Sequence, residues 1–378
     1  MKIVILCLFW LLWYLAFATR TIVAPFMPLV EEAFAINHAA AGKLFLFSAV
    51  GGTVALGFSG RLSLVMGYKR LIACGFIIAT AALMGLYWAD SYVLFAVMLF
   101  LLGLGGGFYL PCAVPIITSV FDRTHWGRAI AFHETAAGFS ILSIPFLAAL
   151  ALGYMPWRSV FMVLCGVFAL VTVLFWLLSP DITVRRSKSA DLKVILKRRD
   201  FWLLAGLWIS CGMASMGIYN IVPLFLVDEK GLAVEVANQY FGLSRIGGFA
   251  GQIGIGFFLD RYDTKKILLL LTLFSGLAGI GLALAQGTAL LVLMMLLQAT
   301  FCVVFFPVGL VAIAKLTTPD ERSAFTGTLM AISGVIGIGI TPWILGGIAD
   351  AWSFQAGILA LAVFNLLVCI PGLRLPRL

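Results

Sequence analysis

Three ionisable side chains fall deep inside long apolar stretches: Arg20, Arg245 and Glu134, with His133 beside the last. A charge at membrane depth costs about 2.5–3.5 kcal/mol by insertion scales, so it needs a reason to be there. A guanidinium offers a planar fork of donors that grips a carboxylate or similar oxyanion through two hydrogen bonds. Arg20 and Arg245 are thus candidates for binding an anion. A carboxylic acid among apolar side chains favours its proton-loaded form, and an imidazole titrates near neutral pH. Glu134 and His133 are thus candidates for carrying a proton. Neighbouring helix residues point about 100° apart, so at most one of the two squarely faces a cavity. Each charge also has a plain structural reading. Arg20 can snorkel to the outer headgroups, with Pro25 and Pro28 close behind it. Arg245 can bond backbone carbonyls, Gln239 or Gln252, and Glu134 can be a static partner for Arg128.

Uncharged polar groups recur in the same stretches: Tyr14, Thr19, Tyr109, Tyr219, Asn220, Gln252 and Gln298. As a set they would make an amphipathic pocket for an organic solute. Singly, each can serve helix packing. Tyr219 and Asn220 precede Pro223, where a helix break would free backbone groups for a ligand. Asp228 and Glu229 read as solvated loop residues beyond that helix.

The elements that must hold these residues are membrane spans. Of the 378 residues 63% are hydrophobic and 11% charged, against about 25% charged in a soluble domain. Roughly 20 apolar residues cross a bilayer as a helix. Twelve predicted spans, at 3–29, 40–60, 71–89, 92–119, 127–150, 157–178, 201–227, 237–259, 266–286, 288–314, 324–346 and 355–373, use nearly the whole chain. The first is too long for a signal peptide and lacks a small-x-small cleavage site. The net charge of +9 gathers on one side: Lys2, the Arg61/Lys69/Arg70 loop, the stretch from Arg185 to Arg199, Arg374 and Arg377. The positive-inside rule then places both termini in the cytoplasm, in an inner (plasma) membrane, and the excess charge signals topology, not nucleic acid. The seven cysteines lie in apolar runs without a CxxC or a nearby histidine, so neither a metal nor a disulfide is expected. No Walker A motif is present, and no nucleophile–base pair or other mark of an enzyme or a cofactor stands out.

The chain repeats itself. Gly60 falls opposite Gly256, Lys69 opposite Lys265, Arg70 opposite Lys266 and Pro111 opposite Pro307, a constant offset of 196 residues. The polar stretch 179–200 separates the copies, giving domains at 1–178 and 201–378 joined by a cytoplasmic linker. At the same offset Arg20 meets Met216, Arg245 meets Ala49 and Glu134 meets Met330. The scaffold recurs and these charges do not, which fits an asymmetric substrate.

The segment Gly256-Phe-Phe-Leu-Asp260-Arg261-Tyr-Asp-Thr-Lys265-Lys266 resembles the loop signature after the second helix of each half in the major facilitator superfamily. The Gly103-Leu-Gly-Gly-Gly107 run with Pro111, Gly127-Arg128-Ala129 and Trp157-Arg158 are similar to that family too. The resemblance implies an all-α membrane protein of twelve transmembrane helices, built as two six-helix bundles related by pseudo-two-fold symmetry. It implies alternating access, with spans 1 and 8 contributing to a central cavity. It also implies a conformational clamp on Asp260 and Arg261, with Lys69, Arg70 and Arg128 as further gating residues. The first-half acidic position of the signature holds Leu64. The fifth span lacks the Gly-Pro-x-x-x-Gly-Gly pattern of drug and proton antiporters, keeping only Gly138 and Pro145. The expected function is a monomeric secondary transporter for a small organic anion, with a proton as co-substrate. An exporter of drugs or other hydrophobic compounds, and a sensor that moves nothing, are the alternatives.

Overall fold

The structure, a computed structural model, describes residues 2–122, 125–182, 192–259 and 261–377. Every regular element among the described residues is helical. In hydrocarbon each backbone N–H and C=O needs an internal partner, which the helix supplies within one segment. Among the described residues eleven helices are long and apolar enough to cross a membrane. We label them α1 (Lys2–Phe34), α2 (His38–Met66), α3 (Tyr68–Trp88), α4 (Tyr92–Val120), α5 (Trp126–Leu152), α6 (Trp157–Leu178), α7 (Arg199–Glu229), α9 (Thr264–Leu284), α10 (Thr288–Leu316), α11 (Ala324–Ala351) and α12 (Phe354–Gly372). Between α7 and α9 lies α8, residues 234–259, in three pieces: Val234–Leu243, Ile246–Gly254 and Gly256–Leu259. A short helix, Leu192–Leu196, precedes α7.

Local chemistry sets the ends. Ser91 accepts from the Leu94 amide, Asp263 from Lys266 and Ser353 from Ala356, each filling an orphan donor at a helix start. Thr318 and Glu321 form a capping box ahead of α11. Gly67 and Gly287 take positive φ, 81° and 78°, in the tight turns before α3 and α10. The interior of α1 is interrupted after Thr21, and a 3-10 turn, Ala24–Phe26, leads into Met27–Phe34. Pro25 and Pro28 sit in the first positions of those two pieces, where a missing N–H costs nothing.

Contacts divide the chain into two compact units, residues 1–35 with 44–186, and residues 36–43 with 187–378. In the first unit the glycine run of α4 lets backbones touch. A Cβ on Gly103 would stand 2.0 Å from the Ser48 carbonyl oxygen of α2, and one on Gly105 would stand 2.5 Å from that of Gly75 in α3. At Gly106 the obstacle is Thr19 of α1, and at Gly107 it is Gly52 and Ala55 of α2. Close helix packing is therefore the work of these glycines. Arg158, at the start of α6, donates to the Ala89 carbonyl at 2.5 Å and lies over the Phe34 and Trp157 rings.

Among the described residues the second unit has three π-helical stretches, Met213–Gly217, Phe225–Glu229 and Gly334–Ile340. Such stretches are rare and collect at functional sites. Its Asp228 and Glu229 differ from the expectation of solvated loop residues. Both lie within the last π-helical turn of α7. Asp228 stands 3.8 Å from His38. The Glu229 carboxylate receives the Phe354 and Gln355 amides and so caps α12. Likewise Asp350 accepts from the His38 and Ala39 amides at 3.0 and 2.9 Å, capping the first turn of α2. This contact, together with Gly42 against Pro342 and Gly346 against His38, is why residues 36–43 group with the second unit.

Candidate functional site

In the first unit α1, α4 and α5 bring three near-parallel rings together. Trp13 and Tyr109 have centroids 5.6 Å apart, Trp13 and His133 5.8 Å, Tyr109 and His133 5.8 Å. All three residues are buried. The Tyr109 hydroxyl donates to the Phe9 carbonyl at 2.6 Å and stands 3.0 Å from His133 Nε2. On the other side of the ring, His133 Nδ1 lies 3.1 Å from Glu134 Oε1. Glu134 was expected to lie among apolar side chains. Instead its side chain is 47% exposed while that of His133 is fully enclosed. Among the described residues the hydrogen-bond partner of Glu134 is His133, not Arg128, which is exposed.

A second row runs along the partly exposed face of α1. Trp10 donates to Thr135 at 2.9 Å, and Tyr14 meets Ser143 at 2.9 Å. The Trp10 and Tyr14 rings stack at 5.9 Å, with Phe139 packed against both. Thr19 spends its hydroxyl on the Ala16 carbonyl. Arg20 lies just before the interruption of α1, with its guanidinium 5.6 Å from the Phe17 centroid. That ring is its one described partner.

In the second unit Arg245 occupies the gap between the first two pieces of α8. It is 3% exposed. Its guanidinium packs against a pair of touching aromatic rings, 5.1 Å from the Tyr219 centroid and 4.8 Å from that of Phe241, which are themselves 4.6 Å apart. Its Nε is buried without a hydrogen-bond partner, and no carboxylate is paired with it among the described residues. Phe241 carried no polar signal in the sequence. Its one clue was its place four residues, about one helical turn, before Arg245. Trp13 gave no clue beyond its aromatic type.

The remaining candidates lie in the same unit. Asn220 donates to the Ile338 carbonyl at 3.2 Å, joining α7 to the π-helical part of α11, and its Oδ1 is buried without a partner. Gln298, 1% exposed, donates to the Ala214 carbonyl and to Cys302 Sγ. Ser275 and Asn365 extend that network. Gln252 reaches the Val303 carbonyl at 3.4 Å. Of the gating candidates, Lys69 donates to the Ser179 carbonyl at 2.7 Å, and Arg70 and Arg261 are exposed. Asp260 lies outside the described residues. The two arginines expected to act together, Arg20 and Arg245, belong to different units.

Comparison with known proteins places this geometry in a family. Sugar efflux transporter A of Dickeya chrysanthemi is 28% identical over 347 residues, covering 88% of this chain and 86% of that protein. Multidrug resistance protein MdtG of Salmonella paratyphi C is 26% identical over 294 residues, 73% of this chain and 72% of that protein. Among solved structures, that of the D-xylose-proton symporter superposes with a TM-score of 0.83 at 14% identity, covering 99% of this chain and 98% of that one, a likeness of fold. The family model for the Major Facilitator Superfamily matches residues 9–297 and 247–377. The chain is an integral membrane protein of helical spans, and it belongs to the major facilitator superfamily of transporters.

Proposed function

We propose that this protein is a secondary transporter of a small organic anion of the carboxylate class, coupled to protons and working by alternating access. The observation that carries the reading is Arg245. A buried guanidinium without a carboxylate partner is costly, and an anionic ligand is the group that would compensate it. The Arg245 Nε, buried without a partner, is a donor still open to an oxyanion, and a guanidinium binds carboxylates in bidentate fashion. Coupling is assigned to Glu134 and His133, a carboxyl and an imidazole in hydrogen-bond contact within the bundle.

The experiment is a thermal-shift series of mono- and dicarboxylates on purified protein, followed by uptake into proteoliposomes with and without a pH gradient. Wild type is expected to be stabilised by at least one anion, Arg245→Gln to lose that response, and Arg245→Lys to keep part of it. If no anion stabilises wild type, or if Arg245→Gln responds equally, the anion reading falls. Unchanged gradient-driven accumulation by Glu134→Gln would overturn the proton coupling.

A second reading is export of a neutral sugar. It is favoured by the similarity to a sugar efflux transporter and by the Trp10, Tyr14 and Phe139 rings on the partly exposed face of α1 and α5. Stabilisation by neutral sugars that survives Arg245→Gln but not Trp10→Ala would support it over the anion.

A further inference from the structure

The Tyr109 hydroxyl touches two groups, the Phe9 carbonyl at 2.6 Å and His133 Nε2 at 3.0 Å. It has one proton, and a carbonyl oxygen can only accept. The hydroxyl proton is therefore committed to Phe9, and the bond to the imidazole is made only if Nε2 carries the hydrogen. The exchangeable position of His133 is then Nδ1, which faces Glu134 Oε1 at 3.1 Å.

We infer that Tyr109 is a positioning residue that locks His133 in the Nε2–H form and thereby turns Glu134 and His133 into a one-proton switch. This rests on the proton-coupling reading above. With one proton between Nδ1 and Oε1, the pair is either imidazolium and carboxylate or imidazole and carboxylic acid, and the contact holds in both. When that proton leaves, an Nδ1 lone pair faces a carboxylate. Two acceptors repel, and the contact opens. Glu134 is the partner free to move, being 47% exposed where His133 is fully enclosed. The ring itself lies near-parallel to those of Trp13 and Tyr109 and packs against both. The groups facing the imidazole from the packed helices are Tyr109 on α4, Glu134 on its own α5 and the uncharged Trp13 on α1. A proton is bound or released, and a carboxylate side chain docks or swings away with it.

The test uses full-length protein labelled with 15N-histidine. The chain has three histidines, and a His133→Gln variant assigns the signal. The expected result is that His133 Nε2 keeps its proton across the whole pH range in which the protein is folded. In Tyr109→Phe the lock is gone, Nδ1–H becomes available to a bare Glu134 carboxylate, and Nε2 is seen to lose its proton. The same variant should move the alkaline limb of the transport pH profile to lower pH by about one unit, because proton release no longer breaks a contact. Counterflow exchange, which needs no net proton movement, should persist and so reports a folded protein. A neutral Nδ1–H imidazole in wild type, or a Tyr109→Phe protein with unchanged tautomer and pH profile, overturns the inference. If the tautomer behaves as stated but Glu134→Gln still accumulates solute under a gradient, the lock stands and the coupling reading fails.

Discussion

Lys69 and Lys265 make the same hydrogen bond in the two halves of the chain. Lys69 Nζ donates to the Ser179 carbonyl at 2.7 Å, and Lys265 Nζ donates to the Leu375 carbonyl at 2.6 Å. The donors are 196 residues apart, and so are the acceptors. Each lysine begins the third helix of its half and grips the chain just past the sixth, filling a carbonyl that a helix end leaves open. A charged side chain near a C-terminus also suits the helix dipole. Replacing either lysine by methionine is expected to cost about 1 kcal/mol and lower the Tm, with arginine restoring part of it. Thermal unfolding of the two single variants in detergent should give similar losses, and unequal losses would mean that the repeat preserves the geometry but not the energetics.

Glycine substitutions should split sharply by position. Gly103→Ala would place a Cβ 2.0 Å from a backbone oxygen, whereas Gly127→Ala has nothing within 4 Å. Overpacking against backbone costs about 1–3 kcal/mol or more. Gly103→Ala is thus expected to fall in yield and Tm while Gly127→Ala stays near wild type, measured by fluorescence size exclusion and thermal shift.

Arg198 ties the start of α7 to the loop before α11. It forks onto Asp200 at 2.6 and 3.0 Å, reaches Glu321 at 3.1 Å, and donates to the Leu316 carbonyl at 2.7 Å. The hydrogen bonds it donates to Asp200 and the charge of the two neighbouring carboxylates push its pKa up. A cation whose folded pKa is raised contributes stability that is present below its unfolded pKa and fades only as pH rises through the folded one. Both lie above the range in which proteins are handled, so this clamp adds no slope to stability between neutral pH and pH 10. Arg198→Lys loses the fork and is expected to cost about 1 kcal/mol, the surface position keeping it small. For Arg198→Gln, which brings no titrating group, a Tm difference that changed between pH 7 and pH 10 would contradict the assignment.

Asp350 caps the first turn of α2 through two amides. Losing an N-cap costs about 0.5–2 kcal/mol. Asp350→Ala should speed hydrogen exchange of the His38 and Ala39 amides by about tenfold, and Asp350→Asn by less. Unchanged exchange in the alanine variant would mean that Asn37, whose side chain accepts from Ala40, suffices alone.

The apolar spans were legible because each backbone in lipid must be helical, and length then fixes the count. The lysine repeat was legible because it is written in identical spacing. The interruption of α8 at Ser244 and Arg245 was not, since residues 237–259 read as one apolar run, and Ser244 turns its hydroxyl back on the Phe241 carbonyl only in three dimensions. Helical phase allowed either His133 or Glu134 to face inward and could not choose between them. Gln298 was named as a pocket residue from its polarity, but α10 is apolar on every side, so nothing in its pattern separates a cavity-facing position from one pressed against a neighbouring helix. Arg245 stood out because a lone charge in an apolar run is costly wherever the chain folds.

The glycine run of α4 has a mechanical meaning for the first unit. Side chains act as compliant spacers between helices, and rotamer changes let one helix slip past another. Where Gly103, Gly105, Gly106 and Gly107 meet the backbones or short side chains of α2, α3 and α1, that compliance is missing. The four helices meet there backbone to backbone, as one welded plate.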